Sequence, residues 1–177
     1  RFAKHRHDFG LTDKEHIYLC PQALFKFHPD FDPVLAAILE HDPQGLVILP
    51  EGNHAHWTLL LTNRFKQTIP ANLIERLRFV PRMSLGDNFI ALADVILDPF
   101  PFGGGNTSYE TLAIGTPIVT LPTQLMCGRL TYACYRQMGI MDCVAENPRQ
   151  YVEIALRLGT QPSFNNQIRA KILTAHD

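Results

Sequence analysis

"DVILDPFPFGGGNTSYETLAIGTPIVTLP", residues 94–122, decides the fold. "DVILD" (94–98) and "PIVTLP" (117–122) are short, β-rich apolar runs bounded by Asp or Pro, and "TSYETLAIG" (107–115) between them repeats its apolar residues at helical spacing. Strand, helix and strand in this order are the unit of a parallel sheet with a right-handed crossover.

The same alternation extends upstream. "HIYLC" (16–20), "GLVILP" (45–50) and "LRFVP" (77–81) read as buried strands. "DFDPVLAAILEHD" (30–42), "HWTLLLTNRFKQTI" (56–69) and "LGDNFIALA" (85–93) read as helices, with Leu35, Ile38 and Leu39 on one apolar face. Downstream of Pro122 the chain turns mainly helical: "GRLTYACYRQMG", "NPRQYVEIALRLG" and "PSFNNQIRAKILTAH", with "IMDCVAE" (140–146) as a short last strand. Asn147 before Pro148 predicts an N-cap with Pro at the first helical position, and Gly159 predicts a C-terminal stop. The fold class is α/β: a single three-layer, Rossmann-like domain over residues 1–177 with a mainly parallel sheet and helices on both faces.

Composition narrows the function classes. With 46% hydrophobic and 19% charged residues and a net charge of −1, the chain offers no global field for nucleic acid or a membrane surface. No apolar run approaches the ~20 residues of a membrane span, and "RFAKHRHDFG" is not a secretory signal, so a cytoplasmic location is expected. Cys20, Cys127, Cys134 and Cys143 form no CxxC pair, which favours reduced, mostly buried thiols over a zinc site. The start without Met predicts a fragment of a larger protein.

Ligands of open parallel sheets settle beyond the carboxyl ends of the strands. There, Gly103, Gly104 and Gly105 lead from a strand into a helix whose first turn offers free N–H groups and the positive end of the dipole. Phosphate is the natural guest. Without β-carbons the backbone can approach it closely, and some loop positions call for positive φ. Asn106, Thr107 and Ser108 add short donors, and the Glu110 carboxylate, one turn in, suits ribose hydroxyls. The same residues also fit a glycine-rich turn with an Asn or Thr N-cap and Glu110 complementing the dipole. Neither GxGxxG nor GxxxxGK[ST] is present.

Three further segments reach the same edge. "YLCPQALFKFHPDFD" carries Gln22, Lys26 and His28 away from the first strand; Lys26 suits a phosphate or plain solvent, and His28 beside Pro29 suits a local loop hydrogen bond. "FVPRMS" presents Arg82 to a base or phosphate, with Asp87 as an alternative partner. Arg129 in "CGRLTYA" stands at a helix start, where a bound anion would offset its unfavourable place on the dipole. His54 and His56 form an HxH pair with no acidic or Cys companion at ligand spacing, so no metal site is expected. Asp98 before Pro99 reads as a loop-capping acid. No serine has a GxSxG setting.

In this order, "FGLTDKEHIYLCPQALFK", "RFVPR", "ADVILDPFPFGGGNTSYETLAIGTPIVTLP", "GRLTYACYRQMG" and "DCVAENPRQYVEIALRLGT" resemble the C-terminal half of the glycosyltransferase family that contains O-linked N-acetylglucosamine transferase and SPINDLY-type enzymes, in particular bacterial tetratricopeptide-linked members. The resemblance implies the C-terminal, donor-binding half of a GT-B fold. It implies that Gln22 and Lys26 contact the donor diphosphate. Gly105, Asn106 and Thr107 stand where the animal enzymes carry His-Thr-Thr, and Glu110 stands near their ribose-facing Asp. The uracil-contacting Lys and His have no counterpart, and Arg82 is the substitute. Arg129 completes the donor-binding set.

The implied chemistry is an inverting transfer from a UDP-sugar or GDP-sugar, such as UDP-GlcNAc, to a Ser or Thr hydroxyl of an acceptor protein, without a required metal or other cofactor. Lys26 is the catalytic residue by this likeness, stabilising the leaving diphosphate together with the N–H groups near Gly104 to Thr107. An N-terminal GT-B domain and tetratricopeptide repeats are the expected partners outside these residues, so the piece alone is expected to be inactive. A non-catalytic nucleotide-sugar sensor or interaction module is the rival reading, and an epimerase or carbohydrate synthase half is a third.

Overall fold

A computed structural model describes residues 5–81 and 87–175. Five strands alternate with helices in chain order: β1 (His16–Leu19), α1 (Asp32–His41), β2 (Gly45–Pro50), α2 (Ala55–Thr68), α3 (Ala71–Ile74), β3 (Leu77–Val80), α4 (Asp87–Leu92), β4 (Val95–Leu97), α5 (Asn106–Ala113), β5 (Ile118–Val119), α6 (Leu130–Met138), α7 (Pro148–Thr160) and α8 (Pro162–Thr174). The sheet order is β3-β2-β1-β4-β5 and every pairing is parallel. From β1 the chain steps outward through β2 to β3, then returns to the other side of β1 for β4 and β5. Right-handed crossovers therefore put α1 and α2 on one face and α4 and α5 on the other, which is the expected α/β class.

The inner strands are short and apolar because both faces are covered; β3, at the edge of the sheet, departs from the buried strand expected there, with no residue fully buried and Arg78 exposed. All six residues of β2 are buried, as are Ile17, Tyr18 and Leu19 of β1, and such strands read as continuous hydrophobic runs rather than alternating ones. Leu19 is level with Ile96, and Leu97 with Val119. The loops after β1, β4 and β5 thus leave the sheet together at one edge. β1 and β4 are also the neighbours from which the chain departs in opposite directions, the switch point where open sheets form a crevice.

Two other expectations change. "IMDCVAE" contributes a single parallel bridge, Thr120 to Val144, beside β5, held by Thr120 N–H to the Cys143 carbonyl at 3.1 Å and Ala145 N–H to the Thr120 carbonyl at 2.8 Å. Gly159 stands near the end of α7 but is not its cap: it is the buried penultimate residue of the helix, which ends at Thr160 with Gln161 as the cap. A β-carbon there would fall on the Tyr18 hydroxyl and lie 2.6 Å from its Cζ. The glycine lets α7 press on β1. At the start of α7, the Asn147 side chain accepts from Gln150 N–H at 2.9 Å and Pro148 occupies the first turn, the expected cap. His54 and His56 sit at the start of α2 with rings 5.6 Å apart.

Candidate functional site

The site is built at the carboxyl edge between β1 and β4. After β1 the chain makes a 3-10 turn at Leu24–Lys26, bringing Lys26 across the switch point. Its Nζ donates to Gln22 Oε1 at 2.8 Å and to the Gly103 carbonyl at 2.8 Å. Residues far apart in the chain, Gln22, Lys26 and Gly103, are thereby joined. Burial pushes the Lys26 ammonium below its ordinary value, while the charge of Asp98 pulls it back up. Both acceptors of Lys26 are neutral, so an arriving anion would be its first direct countercharge.

Beneath the glycines lies Asp98, buried. One carboxylate oxygen accepts the Gly104 N–H at 2.6 Å and the other accepts the Thr120 hydroxyl at 2.7 Å. Burial raises the Asp98 carboxyl, and these hydrogen bonds with the nearby Lys26 charge oppose the rise. Asp98 is the loop cap expected from the sequence. Its own carbonyl accepts the Tyr151 hydroxyl of α7 at 3.1 Å. Gly103 N–H donates to the Cys127 carbonyl at 2.9 Å, which ties the loop after β5 to the same cluster.

Close packing explains two of the three glycines. A β-carbon on Gly103 would lie 2.8 Å from Asp98 Oδ1, and one on Gly104 would strike Ser108 Oγ and lie 2.9 Å from Gln22 Nε2. Gly105 has ordinary room, its nearest neighbour being Leu130 at 3.6 Å. Positive φ is not the reason: it occurs at Gly10, Gly115 and Gly139 and at none of these three. Gly105 caps α5 without a side-chain hydrogen bond. Among the described residues, the N–H groups of Gly105, Asn106 and Thr107 meet no acceptor, as helix starts require unless a ligand or water serves them. Ser108 turns inward to Thr131 Oγ1 at 2.8 Å.

The remaining candidates divide. Asn106 and Glu110 are exposed on α5, and neither they nor Thr107 makes a side-chain hydrogen bond or ion pair among the described residues. Arg129 caps α6; its guanidinium donates to the Thr123 carbonyl at 2.9 Å and lies 4.9 Å from the Tyr132 ring centre. His28 accepts from Asp30 N–H at 3.3 Å, the local loop role expected of it. Arg82 lies outside the described residues. No cluster of His, Cys, Asp or Glu among the described residues could hold a metal ion.

One feature escaped the sequence. Phe102 is 40% exposed and its ring centre lies 4.6 Å from Lys26 Nζ. Phe25, 66% exposed, meets it edge-on at 5.9 Å, and Trp57 follows at 6.5 Å from Phe25. A groove of about 360 Å³ continues from Phe25 and Trp57 along Leu60, Leu61 and Arg64. The doublets "LFKF" and "PFPF", which place an aromatic residue in each of the two segments that meet at the Lys26–Gly103 contact, were the available signal.

The model of "Glycosyl transferase family 41" matches residues 2–177. The UDP-N-acetylglucosamine–peptide N-acetylglucosaminyltransferase of Caenorhabditis elegans is 27% identical over 179 residues, covering 96% of this chain and 15% of that protein. A probable UDP-N-acetylglucosamine–peptide N-acetylglucosaminyltransferase SPINDLY of Petunia hybrida is 28% identical over 101 residues, covering 55% of this chain and 11% of that protein. Among solved structures, a mutant Thermobaculum terrenum O-GlcNAc transferase superposes with a TM-score of 0.80 at 26% identity, over 93% of this chain and 32% of that one. The chain thus spans a third or less of these relatives. Since the family model covers it almost end to end, the chain belongs to glycosyl transferase family 41.

Proposed function

We propose that these residues form the donor-binding domain of a protein O-glycosyltransferase that takes its sugar from a UDP- or GDP-sugar. The observation that carries the reading is Lys26 Nζ, held against the Gly103 carbonyl at the switch point, beside the unpaired N–H groups that open α5. A diphosphate seated there meets one ammonium and up to three N–H donors, and Glu110 stands one turn further for the ribose. The printed names of the relatives favour UDP-N-acetylglucosamine and a peptide hydroxyl.

In the reaction, the acceptor oxygen bonds to the anomeric carbon as the bond from that carbon to the diphosphate oxygen breaks, and the acceptor proton passes to a base. Charge builds on the departing diphosphate. Lys26 and the α5 N–H groups stabilise it there, where fixed donors act with little reorganisation, so the reading needs no metal. The base, the acceptor-binding groups, an N-terminal GT-B domain and tetratricopeptide repeats would come from outside these residues, and the chain alone would not turn over. All four cysteines are free thiols, which supports a reducing, cytoplasmic setting.

Calorimetric titration with UDP and GDP tests this. One nucleotide should bind, and Lys26→Ala should weaken it about 10- to 100-fold, the scale of one lost charge-assisted hydrogen bond. Absence of binding at millimolar nucleotide would refute the donor-site reading. Binding by a longer protein that never transfers sugar would favour the sensor.

A further inference from the structure

The phosphate cradle has two ends. At one, α5 begins and Glu110 follows; at the other, before the glycines, Phe102 stands over Lys26 with Phe25 at its side. Aromatic side chains carry large apolar surface, yet Phe102 is 40% and Phe25 is 66% exposed at the mouth of a polar site. Water is a poor neighbour for two such rings, and paired exposed apolar rings mark a place where something docks.

Position limits what that is. Lys26 Nζ lies 4.6 Å from the Phe102 ring centre, so a group bonded to a phosphate held by Lys26 falls within van der Waals reach of that ring. If the ribose end of the donor points along α5 toward Glu110, the opposite end of the diphosphate points to Phe102. That end carries the sugar. A hexopyranose is polar around its rim but presents a patch of C–H bonds on its face, which packs on an aromatic ring without giving up hydroxyl hydration.

We propose that Phe102, flanked by Phe25, is a specificity-determining residue that packs against the C–H face of the donor's hexose. The inference rests on the donor-site reading above and deepens it. Phe102 then discriminates a nucleotide sugar from the free nucleotide, two ligands that present Lys26 with similar phosphates. Any acetamido or hydroxyl substituent projecting from the packed face would be disfavoured.

The test is a pair of titrations on each protein, with a nucleoside diphosphate and with its hexose conjugate, UDP and UDP-N-acetylglucosamine first and the guanosine pair alongside. Phe102→Ala should weaken the sugar conjugate about tenfold while changing the free nucleotide less than about twofold, and Phe102→Tyr should restore the difference. Phe102→Tyr keeps the packing of the ring, which is 40% exposed, so thermal unfolding of each variant read beside its affinities separates a binding effect from damage to the fold. Equal weakening of both ligands would overturn the proposal, since Phe102 would then act through Lys26. No change for either ligand would overturn it as well. An unchanged donor affinity with a raised KM for acceptor peptide in a catalytically competent longer protein would overturn it in favour of peptide docking. Failure of the parent to bind any nucleoside diphosphate would instead remove the donor-site reading itself, and this proposal with it.

Discussion

Replacing Gly159 by Ala separates two roles for this glycine by the sign of its effect. In an ordinary helix interior the change stabilises by about 1 kcal/mol through propensity. Here the new methyl would overlap the Tyr18 hydroxyl and lie 2.6 Å from Cζ and 2.9 Å from Cε1. Tyr18 has no room to yield: it is fully buried in β1 and its hydroxyl donates to Asp42 Oδ2 at 2.8 Å. Either α7 lifts from β1, at an overpacking cost of about 1–3 kcal/mol, or the tyrosine moves and loses a hydrogen bond to a carboxylate of about 1.5–3 kcal/mol. With the propensity gain subtracted, the net loss is up to about 2 kcal/mol. For a chain of this size that is a fall in Tm of up to roughly 8 °C. Urea unfolding followed by far-UV circular dichroism and by the fluorescence of Trp57 measures it. Tyr18→Phe removes the hydroxyl but keeps the ring, so the double variant should show a coupling of about 1 kcal/mol or more. A Gly159→Ala protein more stable than the parent by the ~1 kcal/mol that propensity alone predicts would refute the packing argument.

Further outcomes follow from the site. Burial holds the free Lys26 ammonium below 10.5, and a bound diphosphate would raise it, so the complex holds its proton more tightly. Nucleotide affinity should therefore be level below the free-state value and fall as pH rises through it, and Lys26→Arg should flatten the fall; a parent whose affinity does not fall as the pH is raised toward the ordinary lysine value would contradict this. Asp98→Ala strips the Gly104 N–H and the Thr120 hydroxyl of their shared acceptor and should cost about 2–4 kcal/mol in denaturant unfolding; an unchanged midpoint would show that Asp98 does not hold the loop. Burial pushes the Cys143 thiol up to about 12, so at pH 8 its thiolate fraction is about one in ten thousand. Iodoacetamide should label Cys127 well before Cys143 in the native protein, as read by peptide mass spectrometry, and equal rates would be the contrary result.

The sheet was legible because strands buried on both faces write themselves as unbroken apolar runs: "GLVILP" is β2 residue for residue. The edge at which Lys26 meets the glycines was legible too, since parallel topology puts the loops after β1 and β4 there. Tertiary contacts were not. Gly159 looks like a stop signal because glycine in sequence is silent about what presses on it, and only the approach of Tyr18 gives its reason. The tie between Lys26 and Gly103 spans 77 residues, a distance no local pattern crosses. Exposed aromatics such as Phe25 and Phe102 sit in short turns, outside the helix and strand periods that sort buried from exposed side chains. The tie of Arg129 to a carbonyl six residues back carries no sequence signal either.

The carboxylate under the glycines bears on time as well as shape. Loops that receive ligands are commonly among the first segments to open, and they pay for binding by being ordered when the ligand arrives. Here the Gly104 amide is clasped by an acid that also holds Thr120 at the end of β5 and whose carbonyl holds Tyr151 on α7. To free that amide the edge of the sheet and a core helix must part, so its hydrogen exchange should be as slow as that of β1 and should report global unfolding. On the donor-site reading, the glycine loop would then stand formed before a nucleotide comes, and its capture would be governed by encounter rather than by the folding of that loop.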